Sequence, residues 1–459
     1  MFAVEDPSTG ETIAEVPNHS PQDAIAALDK AAETQASWSK TPPRDRGEIL
    51  RCAFELITQR SAELAQTMTL EMGKPLAESQ AEIAYGAEFF RWFSEEAVRI
   101  SGRYSVAPNG ATRLLTMKQP VGPSLLITPW NFPLAMGTRK IGPAIAAGCT
   151  MVVKPAALTP LTMIVLGEIL AEAGLPEGVF NLVTTTNSAQ TMAPLISDER
   201  LRKISFTGST EVGRQLIAQS SERVLRTSME LGGNAPFIVF ADADIDAAVD
   251  GAMIAKLRNG GEACTSANRF IVHESVATEF GEKLAARMSQ VKVGRGVDPG
   301  VELGPLIDQK QRTKVSELVQ DAVDQGAEVL TGGKSVGEVG YFYAPTVLTN
   351  VPTTARIFAD EIFGPVAPIY SVANDKEAID LANDTEYGLV AYLYSRDFKT
   401  VLNTIEALDT GMVGVNQGIV SNPAAPFGGV KASGIGREGG EEGINEYLET
   451  KYVGLNIDD

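Results

Sequence analysis

Short apolar segments that alternate with helical stretches over residues 125–240 restrict the fold of this chain more than any other feature. These segments lie at 125–128, 151–154, 179–183, 204–207 and 237–240, with glycine or proline at the joints. Repeated strand-helix alternation of this kind builds a parallel, doubly wound sheet. A second series of the same type begins near residue 244 and predicts a second domain. The sequence therefore predicts an α/β fold.

The period changes at residues 102–120, where Asn109-Gly110 separates two extended segments. Asn-Gly between extended segments is a strong hairpin signal, so we expect a small two-stranded ribbon there. Residues 447–457 are also extended and apolar, and they need a partner strand. One candidate partner is the 102–120 ribbon of another subunit.

Charge and composition exclude several classes of function. The 459 residues include 39 Lys and Arg against 58 Asp and Glu, a formal net charge of −19. Such a surface repels phosphate backbones and anionic lipids, so we expect neither nucleic-acid nor membrane binding. No apolar run is long enough to span a bilayer and no signal peptide is evident, so we expect a cytoplasmic location. With two histidines and three cysteines, we expect neither a disulfide framework nor a metal site.

Local sequence alone makes two residues candidates for a chemical role. Cys264 follows a glycine-rich approach and precedes small polar residues, so backbone N–H groups can approach the sulfur and favour the thiolate. We therefore expect a reactive nucleophile rather than a buried apolar thiol. Glu230 adjoins Leu231 and two glycines, where burial would raise the pKa of the carboxyl group and suit it to act as a general base. A solvated carboxylate is an equally good interpretation of Glu230 at this point.

Six short segments are informative when they are taken together. They are Pro129-Trp130-Asn131-Phe132-Pro133, Val153-Lys154-Pro155, Phe206-Thr207-Gly208-Ser209, Glu230-Leu231-Gly232-Gly233, Cys264 and Glu361-Ile362-Phe363-Gly364-Pro365. In order and spacing they resemble the aldehyde dehydrogenase superfamily over nearly the whole length, and the chain is identified as a member of it.

The resemblance implies a division of the chain into three parts. Residues 1–101 and 121–231 would form a Rossmann-like NAD(P)-binding domain, and residues 232–435 an α/β catalytic domain. Residues 102–120 and 441–459 would supply oligomerisation strands, with a homodimer or a dimer of dimers as the assembly. The family binds NAD(P) without a GxGxxG fingerprint, and the literal match at Gly434–Gly439 follows no predicted strand.

The resemblance also implies catalytic roles. Cys264 matches the nucleophile that adds to an aldehyde and forms a thiohemiacetal. Asn131 matches the amide that stabilises the resulting oxyanion together with the Cys264 backbone N–H. Glu230 matches the base that activates water to hydrolyse the thioester.

For the cofactor, the resemblance implies a binding site built from both halves of the chain. Lys154 would bond the adenosine ribose, and Glu361 would hold the nicotinamide ribose. Ala157 stands where NAD-preferring relatives often carry a glutamate that would repel a 2′-phosphate. We therefore expect NADP to be preferred, with NAD possible. The cofactor-binding residues are Trp130, Lys154, Ala157, Gly208, Ser209, Glu361 and Phe363.

For the substrate, the resemblance within the family is greatest to enzymes that oxidise succinate semialdehyde. It implies that Arg139, Arg258 and Ser421 converge on the distal carboxylate of a small aldehyde. Another ω-carboxylated aldehyde, such as glutarate semialdehyde, stays open because one methylene changes binding by only about 1–3 kcal/mol. A cofactor-independent thiol esterase that uses Cys264 and Glu230 is a further alternative.

Ser266 occupies the position where some relatives carry a second cysteine, two residues after the nucleophile. We therefore predict that no intramolecular redox switch forms at Cys264. Treatment of the monomeric chain with peroxide, followed by peptide mapping without reductant, should yield no Cys264 disulfide. A peroxide-induced disulfide that a thiol reductant reverses would contradict this prediction.

Overall fold

The structure, a computed structural model, describes residues 1–456. Its strands are β1 (Phe2–Asp6), β2 (Glu11–Val16), β3 (Arg103–Val106), β4 (Arg113–Pro120), β5 (Ser124–Ile127), β6 (Met151–Lys154), β7 (Phe180–Leu182), β8 (Lys203–Thr207), β9 (Arg226–Glu230), β10 (Ala235–Val239), β11 (Ala267–His273), β12 (Glu328–Thr331), β13 (Thr346–Thr349), β14 (Val366–Val372), β15 (Val390–Tyr394), β16 (Met412–Val415), β17 (Gly434–Ile435) and β18 (Leu448–Leu455).

Helices connect most of these strands. They are α1 (Pro21–Trp38), α2 (Pro43–Gln59), α3 (Ser61–Met72), α4 (Leu76–Glu96), α5 (Ala135–Ala147), α6 (Leu161–Glu172), α7 (Ser188–Ser197), α8 (Thr210–Ser220), α9 (Ile245–Leu257), α10 (Glu274–Ser289), α11 (Gln309–Asp324), α12 (Arg356–Ala359), α13 (Asp375–Asn383), α14 (Phe398–Ala407) and α15 (Glu442–Asn445). No helix within residues 1–456 is both long and apolar enough to cross a membrane.

A six-stranded sheet has the order β17-β9-β8-β5-β6-β7, and its neighbours are parallel except for β17 against β9. Successive residues of β5 and β6 enter different apolar clusters: Leu126 and Val153 pack in one, Leu125 and Val152 in the other. Both faces of the sheet are therefore covered, which requires near-continuous apolar strands. The predicted parallel sheet is confirmed.

A seven-stranded sheet has the order β12-β13-β14-β11-β10-β15-β16, and only the β12–β13 pair is antiparallel. The sequence predicted a second α/β series in this part of the chain, and the sheet confirms it. The α/β fold class is thus confirmed for both halves of the chain.

Strands β3 and β4 form the predicted ribbon, with Gly110 at φ 75° in the connecting turn. Strand β18 pairs along its whole length with β4 of the same chain. We expected the C-terminal segment to pair with the ribbon of another subunit. That expectation is wrong, because β18 occupies the β4 edge of the ribbon in its own chain. Within 441–459, Glu442–Asn445 is helical, and residues 457–459 lie outside the described residues.

Gly434 and Ile435 form β17, which runs antiparallel to Met229 and Glu230 of β9. These two residues lie inside the range predicted for the catalytic domain, yet they extend the six-stranded sheet. A dinucleotide fingerprint has to lie in a strand-turn-helix unit. The 434–439 glycine motif does not, because its first two residues form this antiparallel strand.

The carboxyl ends of the central parallel strands meet at one edge of the six-stranded sheet. Ile127 pairs with Lys154, and Thr207 pairs with Glu230, each at the end of its strand. The chain then passes through residues 231–234 directly into β10 of the other sheet. The loops at this edge consequently lie against the first residues of β10 and β11, as expected for a binding crevice at the carboxyl edge of a parallel sheet.

Candidate active site

A central cavity of about 210 Å³ lies where the two sheets meet. It brings together residues that are more than 200 positions apart in the sequence. Eight of the predicted site residues line it: Trp130, Asn131, Gly208, Ser209, Glu230, Cys264, Glu361 and Phe363. The loops after β5, β8 and β9 supply one wall, and the segments before β11 and β14 supply the other.

Cys264 lies just before β11 with its side chain partly exposed to the central cavity. Burial raises the pKa of its thiol to about 12; Arg139 and Arg258 oppose the shift, while Glu361 and Glu230 add to it. The expectation that backbone N–H groups make this sulfur a thiolate is therefore wrong for the structure as described. Burial, with Glu361 and Glu230 adding to it, disfavours the thiolate, so a base must remove the thiol proton.

Glu230 is the last residue of β9 and is only 3% exposed. Burial raises the pKa of its carboxyl group well above the usual value; Glu438 raises it further, and Arg139 and Lys140 oppose the shift. Its Oε2 has no hydrogen-bond partner among the described residues. The sequence left open whether the Glu230 carboxyl group is solvated or buried, and the structure shows that it is buried.

Glu438 forms two buried ion pairs behind Glu230. Its Oε2 accepts from Arg139 Nε at 2.6 Å, and its Oε1 accepts from Lys140 Nζ at 2.5 Å. Burial alone would raise the pKa of the Glu438 carboxyl group, but Lys140 and Arg139 hold it below the usual value. The negative charge of the two carboxyl groups is therefore concentrated on Glu438.

Asn131 lies in the loop between β5 and α5, and both its backbone and its side chain are anchored. Its Nδ2 donates to the Glu262 carbonyl oxygen at 2.8 Å, and its own carbonyl oxygen accepts from Lys74 Nζ at 2.8 Å. Asn259 Nδ2 donates to both carbonyl oxygens at 3.0 Å. One N–H of the Asn131 amide is left for a ligand, because a primary amide has two.

Glu361 and Phe363 follow α12 on the opposite wall. Glu361 Oε1 accepts from the backbone N–H of Gly233 at 3.1 Å. Phe363 adopts φ 55°, which is strained for a bulky residue, and its ring meets the Trp130 ring edge-on at 5.4 Å. Strain of this kind is often stored at functional sites, where it fixes a side chain in place.

Lys154 and Ala157 lie beyond the central cavity, at the end of β6 and in the following turn. Lys154 is 6% exposed, and burial lowers the pKa of its amino group to about 8. Within residues 1–456 its Nζ makes no hydrogen bond or ion pair. A buried cation without a partner at the carboxyl edge of the sheet fits a polar ligand that supplies the missing acceptor.

A second cavity of about 490 Å³, here called the outer cavity, contains Arg258 and Ser421. The Arg258 guanidinium lies over the Phe132 ring at 4.9 Å and the Tyr85 ring at 5.9 Å. Neither the guanidinium nor the Ser421 hydroxyl has a hydrogen-bond or ionic partner within residues 1–456. Phe132, which lines this outer cavity, directly follows Asn131, which lines the central cavity.

Arg139 differs from its predicted place. It is 1% exposed, bonded to Glu438, and stacked 4.0 Å from the centre of the Phe427 ring; it does not line the outer cavity. The expectation that Arg139 and Arg258 converge on one carboxylate is therefore wrong. A buried guanidinium needs a fixed anion, and Glu438 supplies it.

Gln311 and Lys314 also line the central cavity, and the sequence did not identify them. They lie on one face of α11, and Gln311 Nε2 donates to the Phe363 carbonyl oxygen at 2.5 Å. Their spacing of three residues was visible in the sequence, but a solvated helix face has the same pattern. Only the tertiary packing of α11 against the loop after α12 identifies them.

Comparisons with known proteins agree with this geometry. The model of the aldehyde dehydrogenase family matches residues 1–453. Succinate-semialdehyde dehydrogenase of Paenarthrobacter nicotinovorans is 60% identical over 95% of this chain and 96% of its own. Succinate-semialdehyde dehydrogenase [NADP(+)] of Escherichia coli and glutarate-semialdehyde dehydrogenase of Pseudomonas putida are each 48% identical, over 99% of this chain and 94% of theirs.

Among solved structures, an E. coli NADP-dependent enzyme superposes with a TM-score of 0.98 at 48% identity, covering 99% of this chain and 94% of the other. The fold and the family predicted from six short segments are thus confirmed. This chain belongs to the aldehyde dehydrogenase family.

Proposed function

We propose that this enzyme oxidises succinate semialdehyde to succinate, with NADP as the hydride acceptor. The observation that carries the proposal is the Arg258 guanidinium in the outer cavity, which has no ion-pair partner among the described residues. It lies over the ring of Phe132, the residue that follows Asn131. An arginine without an ion-pair partner recognises a carboxylate by charge-assisted hydrogen bonds, and Ser421 can add a third donor. Relatives named for this substrate support the proposal.

The first step joins the substrate to Cys264. The thiol proton passes to solvent water in the cavity, and the sulfur forms a bond to the aldehyde carbon. The carbonyl electron pair moves onto oxygen, where the free N–H of Asn131 and the Cys264 backbone N–H stabilise it. One such donor is typically worth about 3–4 kcal/mol.

The dinucleotide site fits NADP on this chain's own residues. Trp130, Glu361 and Phe363 would line the nicotinamide half, and the unpartnered Lys154 would bond the adenosine ribose. Ser209, which precedes α8, would place backbone N–H groups near the pyrophosphate. When bound, the nicotinamide supplies a hydride acceptor that converts the thiohemiacetal to a thioester. Alanine at 157 removes the carboxylate that would repel a 2′-phosphate, which favours NADP over NAD.

Hydrolysis of the thioester depends on Glu230. Its raised pKa makes the ionised carboxylate a stronger base than an exposed glutamate, and it can take a proton from water as the water attacks. The bond from carbon to the Cys264 sulfur breaks, and succinate leaves. Glu438, already paired with Arg139 and Lys140, is not available as that base.

We further propose that the β3-β4-β18 sheet forms the contact between subunits in a homodimer or a dimer of dimers. Its exposed apolar side chains include Tyr104, Val106 and Tyr452, which are 53–63% exposed. Contiguous apolar patches of this kind mark interaction surfaces.

Glutarate semialdehyde is a second candidate substrate, because relatives carry that name and the outer cavity can hold one more methylene.

Replacement of Arg258 with alanine tests the substrate assignment. R258A should raise KM for succinate semialdehyde and glutarate semialdehyde about thirtyfold, because a charged hydrogen bond worth about 2 kcal/mol is lost. KM for butyraldehyde, which lacks the carboxylate, should change little. Initial rates followed by NADPH absorbance measure all three constants.

R287A is the matched control, since Arg287 pairs with Asp250 on the surface of α10. It should leave all three KM values unchanged. An equal rise of KM for the charged and uncharged aldehydes in R258A would contradict the proposed substrate. Activity of the wild-type chain on esters alone, with no NADPH formed from any aldehyde, would favour the esterase.

Replacement of Ala157 with glutamate tests the cofactor preference. A157E should lower kcat/KM for NADP about tenfold or more, through repulsion of the 2′-phosphate, and lower kcat/KM for NAD far less. L158E places the same charge on an exposed neighbour and should change neither value appreciably. A wild-type specificity constant that favours NAD would contradict the preference.

A further inference from the structure

Lys256 is a buried cation that the proposed reaction does not use. It lies in the last turn of α9, is completely inaccessible to solvent, and its Nζ donates to Asn268 Oδ1 at 3.1 Å. Within residues 1–456 no carboxylate lies within ion-pair distance of it. Burial lowers the pKa of its amino group to about 7, and the charge of Glu361 opposes that shift. Burying an ammonium group without a direct counter-ion is costly, so its retention calls for a role.

A chain of hydrogen bonds leads from Lys256 to Glu361. Beyond the Lys256–Asn268 bond, Asn268 Nδ2 donates to the Gly233 carbonyl oxygen at 3.4 Å. The N–H of Gly233 donates to Glu361 Oε1 at 3.1 Å. The orientation of the Asn268 amide is settled by its neighbours, because an ammonium group only donates and a carbonyl oxygen only accepts.

The chain of hydrogen bonds enters and leaves Gly233 through two different peptide groups. The Gly233 carbonyl oxygen, which accepts from Asn268, belongs to the peptide group shared with Asn234, and the Gly233 N–H, which donates to Glu361, belongs to the one shared with Gly232. Lys256 and Asn268 therefore fix the backbone of Gly233 on one side, and the same residue presents its N–H to Glu361 on the other. Lys256 acts on Glu361 through this placement and through its positive charge, although the two side chains do not touch.

The Gly233 peptide also packs tightly against the nucleophile loop. A side chain at Gly233 would come within 2.6 Å of the Cys264 carbonyl oxygen, and one at Gly232 within 3.1 Å of Glu361 Oε2. The absence of side chains at both positions lets the backbone segment that links Asn268 to Glu361 pass directly behind Cys264. A displacement of this segment would therefore move the carboxylate and the nucleophile together.

We propose that Lys256 is a positioning residue for the cofactor site: by its charge, and by holding the backbone of Gly233 through the Asn268 amide, it keeps the Glu361 carboxylate ionised and oriented towards the nicotinamide ribose. The inference rests on the proposed function, in which Glu361 accepts hydrogen bonds from that ribose. A protonated Glu361 would lose acceptor capacity and bind the ribose less well.

Few positive charges near Glu361 oppose the protonation of its carboxyl group. Burial raises the pKa of its carboxyl group, and the Gly233 N–H, Lys314 of α11 and Lys256 of α9 oppose the rise. Two further titratable groups, the Cys264 thiol and Tyr387, face the same carboxylate. Both are neutral near pH 7 and add no positive charge. The buried cation at 256 is thus one of two that act on Glu361, and Lys314 is the more exposed of the pair.

K256M tests the proposal, because methionine keeps the length of the side chain and removes its charge. The readout is the dissociation constant of NADPH, measured by fluorescence titration without turnover and repeated between pH 5 and pH 8. We expect affinity to fall about tenfold at neutral pH. We also expect the loss of affinity on acidification to begin at higher pH than in the wild type, since Glu361 then protonates more easily.

N268D provides a second variant that keeps the shape of the side chain. Its carboxylate neutralises Lys256 directly and offers no donor to the Gly233 carbonyl oxygen, so it should weaken NADPH binding in the same way, even if K256M fails to fold. K203M is the matched control: Lys203 is also a buried lysine, but it contacts Ser228 and Glu446 at the far end of β8. K203M should leave the NADPH dissociation constant unchanged.

The melting temperature separates positioning from simple stabilisation. Removing a buried, unpaired cation should leave the melting temperature of K256M equal to or above that of the wild type. Wild-type NADPH affinity and pH dependence in folded K256M or N268D would overturn the proposal, whether or not the melting temperature falls. A wild-type protein that binds neither NADPH nor NADP would instead overturn the proposed function.

Discussion

The carbonyl oxygen of Glu262 is the point at which the two halves of the active site are joined. Asn131 and Asn259 both donate to it, so the loop after β5 is bonded to the loop that carries Cys264. Lys74 adds a third tie by donating to the Asn131 carbonyl oxygen, with Glu82 as its buried counter-ion. A predicted oxyanion donor and a predicted nucleophile thus belong to one rigid unit, although different sheets carry them. Catalysis by a preorganised amide depends on such rigidity.

Charge around the central cavity is arranged in a way that no single motif reveals. Glu230 and Glu361 are buried and have raised pKa values, while Glu438 is held ionised by Arg139 and Lys140. Burial, with Glu361 and Glu230 adding to it, disfavours the Cys264 thiolate, so the nucleophile stays a thiol until a base and an electrophile are both present. Separation of ionised and neutral carboxyl groups by environment is the usual way to divide acid and base roles.

The sequence predicted the parts of the fold that local patterns encode. Apolar runs such as 151–154 became buried parallel strands, and Asn109-Gly110 became a turn of the ribbon, because both signals act over a few residues. The partner of the C-terminal strand was mispredicted, since edge pairing depends on where distant segments meet. Arg139 was misplaced for a related reason: its counter-ion, Glu438, is 299 residues away in the chain. The state of the Cys264 thiol depends on burial and on two carboxylates from distant segments, Glu230 and Glu361, and the local sequence around Cys264 contains neither of them.

The central claim is that a substrate acyl group becomes bonded to Cys264 and is released by Glu230. The most direct measurement is intact-mass analysis with peptide mapping of E230Q after incubation with succinate semialdehyde and NADP. The account predicts about one NADPH per active site and one succinyl group retained on Cys264, because acylation proceeds and hydrolysis does not. An unmodified Cys264 after NADPH has formed, or a succinyl group on Cys52 or Cys149 instead, would contradict it.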